Sequence, residues 1–171
     1  MTGYNQQSQS VRNQVNINLQ PPGSPDPLVL LKQGIELLEG KSYNQAIEQF
    51  RVAIQVDSSL TTTYYYLALA LLKGKRPKIL QRNQIEEIDG LLCAATKMGD
   101  SDGTVQWFRA LIRDDYYGGN RMRCPEPNVS EIISSIRVTD INRLKMLLKR
   151  LPPMFDNPLY CELVKQIFKQ D

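Results

Sequence analysis

Five cations stand within ten residues, at Lys73, Lys75, Arg76, Lys78 and Arg82. Such a run can hold phosphates or an acidic partner, because each cation displaces counterions from a polyanion. No aromatic residue is interleaved with it to stack on bases. A solvated loop or an acidic partner therefore ranks ahead of nucleic acid. The adjacent carboxylates Glu86-Glu87 and Asp114-Asp115 fall on expected helices. Neighbours on a helix point about 100° apart, so such pairs make poor metal clamps. The cysteines Cys93, Cys124 and Cys161 are widely spaced, and histidine is absent. Four zinc ligands cannot be drawn from three scattered thiols. The commonest general base is missing, and no Ser-His or Cys-His dyad can form within the chain. Neither G-x-x-x-x-G-K-[ST] nor G-x-G-x-x-G occurs. The expectation is a chain that is not an enzyme and uses no metal and no cofactor.

The 171 residues suffice for one ordinary domain, or a small domain plus a tail. An apolar fraction of 42% and a charged fraction of 23% fit a globular protein. A net charge of +3 is too small to imply nucleic acid or membrane binding by itself. No run of about 18 apolar residues occurs, so no spanning helix and no membrane partner are expected. The odd thiol count, with no signal-like stretch at the N-terminus, favours a reducing, cytoplasmic location.

The elements that must position these groups read as helices. Residues 1–23 stand apart: nine of the first twenty are Asn or Gln. Within them Val15, Ile17 and Leu19 alternate with polar residues, as in a half-buried strand. This segment is expected to be disordered or to pair as a strand, with another chain or a second copy. Asp26-Pro27 then opens a helix over 27–39, since Asp caps well and Pro suits the first helical position. Gly40 stops it. A second helix over 43–56 places Tyr43, Ala46, Ile47, Phe50, Ala53 and Ile54 on one face. The connection 40–42 is so short that the two helices must run antiparallel.

The chain then repeats itself. Leu37-Leu38-Glu39-Gly40-Lys41 returns 34 residues later as Leu71-Leu72-Lys73-Gly74-Lys75, and Gly34 matches Ala68. A third helix over 59–73 thus repeats the first. Leu30, Gly34, Leu37, Tyr43, Ala46, Phe50 and Ala53 carry a resemblance to the tetratricopeptide repeat family. It covers residues 28–75, better over 28–58. Gln33 departs from the family's aliphatic preference, and Ser58 stands where the family has proline. Ile88, Leu92 and Ala95 echo Ala46, Phe50 and Ala53 at an offset of 42, so extra residues lie within 75–87. Trp107 opens the motif of a fifth helix over 104–117, and Gly118-Gly119 ends it. Shorter helices follow near 128–137 and up to 151, and Asn157-Pro158 opens a last one.

The fold expected is all-α: antiparallel helix hairpins of a short, degenerate tetratricopeptide-like solenoid over 24–118, with a C-terminal helical cap over 119–171. The resemblance implies a groove lined by the first helix of each pair. Here those residues are Leu28, Leu31, Ile35, Leu38, Tyr65, Leu69 and Leu72. The family's subset that clamps a peptide carboxylate uses Lys and Asn where Leu31 and Ile35 stand, so a chaperone-tail receptor is not expected. The groove is either filled by the chain's own segments or a second copy, or open to another protein. Three functions follow: a protein-binding adaptor or scaffold, a nucleic-acid-associated factor using the loop 73–82, or a homo-oligomeric assembly component joined through its N-terminal segment.

Overall fold

The structure, a computed structural model, describes Gly23 and residues 25–169. The Asn/Gln-rich segment with Val15, Ile17 and Leu19 lies outside the described residues. Among the described residues the chain is helical and has no strand. Its helices are α1 (Pro27–Glu39), α2 (Tyr43–Val56), α3 (Thr61–Leu72), α4 (Arg82–Lys97), α5 (Gly103–Arg113), α6 (Val129–Ser134), α7 (Ile141–Arg150) and α8 (Pro158–Phe168). A 3-10 turn, Pro77–Ile79, precedes α4, and a π turn, Asp114–Gly118, prolongs α5.

Local chemistry explains the boundaries. The Asp26 carboxylate accepts from the Leu28 N–H at 2.8 Å, with Pro27 in the first turn of α1. Asp140 and Asn157 cap α7 and α8 in the same way. Asn128 caps α6, in a reciprocal pair with Glu131. Gly40 ends α1, but its own φ is −74°; Lys41 takes the left-handed conformation at φ 59°.

Successive helices from α1 to α5 pack on one another, and α5 also contacts α6 and α7. α1 and α2 approach closely where Gly34 meets Phe50. A Cβ on Gly34 would lie 2.7 Å from Phe50 Cδ1. Hydrogen at this position lets the ring lie flat against α1, and Phe50 is fully buried. Full burial of such a ring contributes roughly 2–3 kcal/mol. Ala46, Phe50 and Ala53, and their echoes Ile88, Leu92 and Ala95, are all fully buried.

α3 is the shared wall of two apolar clusters. Leu67 and Ala70 join Leu31, Ala46, Ile47 and Phe50. Tyr65, Ala68, Leu69 and Leu72 join a larger cluster that runs through α4 and α5 to Leu144 and Leu147 of α7 and Leu163 and Ile167 of α8. The C-terminal helices thus share the main core with the helices before residue 118. Replacing Gly34 with Ala should destabilise the protein by about 1–3 kcal/mol through overpacking. Urea unfolding followed by circular dichroism would check this; an unchanged midpoint would show that the approach is not tight.

Candidate functional site

The expected groove does not form one open strip. Tyr65, Leu69 and Leu72 are only 2%, 4% and 2% exposed, and Leu31 is buried as well. The cover is the chain's own C-terminal half. Tyr65 meets the Phe108 ring edge-on, with centroids 5.8 Å apart, and the Arg143 guanidinium of α7 lies 5.0 Å above it. This burial pushes the Tyr65 hydroxyl well above its usual range, with the nearby Tyr66 adding to the shift. Tyr66 stacks on Phe50, and Arg150 sits over its outer face. Leu28, at 60% exposure, and the half-buried Ile35 and Leu38 remain at the surface.

The basic loop divides in two. Arg76 binds both Asp115 and Asp156, and the Lys78 ammonium reaches Asp156 at 3.0 Å. The Lys78 backbone N–H donates to Asp115 at 3.1 Å. Arg82 pairs with Glu86 one turn along α4. Three of the five cations are therefore neutralised internally. Lys73 and Lys75 stay exposed. Asp115 is fully buried and sits in the π turn. This pairing has no local signature, because Asp115 and Asp156 lie 39 and 80 residues from Arg76. The bond to Asp115 raises the Arg76 pKa, against the opposing effect of burial.

Two further networks hold the packed helices. Asp89 of α4 accepts from Arg109 at 2.7 Å and from the buried Arg113 at 2.7 Å. Arg143 bridges Asp100 and Asp102 at 2.9 and 3.0 Å, pinning α7 to the turn before α5. Burial alone would raise the Asp102 pKa. The N–H groups of Asp140 and Thr104, the Thr104 side chain and the Arg143 charge outweigh it, and Asp102 titrates below the usual carboxylate range. Asp156 is lowered to about 2, first by Lys78 and then by Arg76.

One open cleft, of about 300 Å³, lies where the C-termini of α1, α3 and α7 meet. Leu38, Leu69, Leu72 and Pro152 give it an apolar lining, and Lys41, Lys149 and Arg150 stand among its walls. Arg150 is paired with Glu39 at 3.0 Å. Among the described residues, Lys41 and Lys149 form no salt bridge. The Tyr43 hydroxyl closes in over Gly74, where a Cβ would come within 2.8 Å of it. Leu38, Leu69 and Leu72 are residues of the expected groove. Lys41, Tyr43, Lys149 and Arg150 are additions that the structure supplies. A signal for Lys41 existed: the turns after α1 and α3 both carry Gly beside Lys, and parallel helices put such turns at the same end.

No family model matches this chain, and no curated protein matches it. The tetratricopeptide resemblance therefore rests on the residues themselves.

Two measurements check the charge networks. Asp115→Asn should cost about 2–3 kcal/mol in thermal unfolding, since it leaves the Arg76 charge without its buried partner. Acid should also erode stability through Asp102 and Asp156, whose folded pKa values lie below their unfolded ones. Their contribution is complete above the ordinary value of 3.8 and is lost as pH falls toward 2. The double variant Asp102→Asn/Asp156→Asn should be less stable at pH 7 and lose less stability between pH 4 and pH 2. An acid limb identical to that of the unaltered protein would refute the assignment.

Proposed function

We propose that this chain is a non-enzymatic protein-interaction module, a short tetratricopeptide-like solenoid closed by its C-terminal helices, which docks a partner segment along α1. The observation that carries this reading is the unevenly covered row Leu28, Leu31, Ile35 and Leu38. These positions share one face of α1 at helical spacing. Leu31 is packed inside, whereas Leu28 is 60% exposed and Val29 beside it 49% exposed. α1 is the first helix of the stack and packs on α2 and α3. Its apolar row leads at Leu38 into the cleft. An apolar helix or strand laid along such a row would use i, i+3, i+7 anchors.

The repeated burial of Ala46, Phe50, Ala53, Ile88, Leu92 and Ala95 supports a repeat architecture. The internal pairing of Arg76, Lys78 and Arg82 weighs against nucleic acid as the partner. Among the described residues no helix is long and apolar enough to cross a membrane.

Affinity capture from the native cell, run in parallel with the unaltered protein and Leu28→Glu, tests the assignment. Leu28 is exposed, so the variant should fold, as circular dichroism would verify. Burial of one leucine is worth roughly 1.5 kcal/mol, so capture should weaken about tenfold. Equal recovery of the same proteins by both forms would place the docking surface elsewhere.

A further inference from the structure

The cleft where α1, α3 and α7 meet has a chemistry distinct from the docking row. Its apolar lining comes from Leu38 and Pro152, with only the edges of the almost fully buried Leu69 and Leu72. Its rim is cationic. Lys41 and Lys149 are exposed and form no salt bridge among the described residues. The one carboxylate in the lining, Glu39, is already held by Arg150. A cleft lined by apolar side chains and by two lysines with no salt bridge among the described residues fits a ligand with an apolar body and an anionic head.

Size narrows the class. An apolar cavity of about 150 Å³ accommodates benzene. A cleft of about 300 Å³ then takes roughly ten to twelve carbon atoms on the same scale. The chain's own N-terminal segment is a poor match, because residues 1–22 contain Arg12 and no acidic side chain. A second copy would bring another net charge of +3 against the same lysines.

We propose that this cleft binds a medium-length acyl carboxylate, its chain against Leu38, Pro152 and the exposed edges of Leu69 and Leu72 and its carboxylate at Lys41 and Lys149. The site stands whether or not a protein docks on α1. Because Leu38 belongs to both surfaces, bound acid competes with a partner seated there.

The test is calorimetric titration of the full chain with octanoate, decanoate and dodecanoate, each below its aggregation threshold, and with decanol and decylammonium. Backbone amide shifts locate the site. Affinity should rise roughly fourfold per methylene up to decanoate and level off as the cleft fills by dodecanoate. Decanoate should bind tighter than decanol, and decanol tighter than decylammonium. The shifts should centre on Leu38, Leu69 and Leu72. The double variant Lys41→Asn/Lys149→Gln removes both charges, and asparagine tolerates the left-handed backbone at 41. It should weaken decanoate about tenfold and leave decanol unchanged. Leu28→Glu, which tests the docking row, should leave decanoate binding intact, so the two readings fail separately. Absence of heat and shifts, decylammonium binding as tightly as decanoate, shifts centred outside the cleft, or indifference to the double variant would each overturn the proposal.

Discussion

The Asp115 carboxylate is fully buried, and three separate parts of the chain are arranged around its charge. A buried ion is costly unless it is paired and hydrogen-bonded. Here the Arg76 guanidinium and the Lys78 N–H meet it from the loop between α3 and α4. Arg76 then reaches on to Asp156, in the connection between α7 and α8. One carboxylate thus fixes the position of a long turn, and the turn in turn fixes the approach of the C-terminal helices. Those helices cover Tyr65, Leu69 and Leu72, and where α7 ends the cleft begins.

The same logic explains why α3 lacks a polar face. It lies between two clusters, one shared with α1 and α2 and one with α4 to α8. Its buried residues therefore include consecutive positions, Leu67 to Ala70. A helix with neighbours on two sides has little use for a polar stripe. The stacking of Tyr66 on Phe50 and the edge contact of Tyr65 with Phe108 give the consecutive tyrosines different roles in the two clusters.

Local features of the fold were legible in the sequence. Asp26-Pro27 and Asn157-Pro158 announce helix starts through chemistry confined to a few residues. The resemblance marked Gly34 as a small residue and Phe50 as a large one, but that the two meet is a finding of the structure. The candidate site was far less legible. Periodicity shows that Tyr65, Leu69 and Leu72 form an apolar face, but not which segment lies on it. A run of cations shows charge, but not that Asp115 and Asp156 return from far along the chain to neutralise it. Lys149 has no local mark at all; it joins the cleft because α7 ends beside α1 and α3.

The π turn at Asp114–Gly118 carries a consequence for how this chain can vary. A π turn holds more residues per turn than an α-helix, so each side chain after it is rotated relative to α-helical register. Asp115 lies within that turn and pairs with Arg76, and Gly119 lies so close to the Asp115 carbonyl oxygen that a Cβ has no room there. Loss of one residue between 113 and 119 would give a more regular helix and a misdirected carboxylate. At this place the number of residues is constrained together with the identities of Asp115 and Gly119.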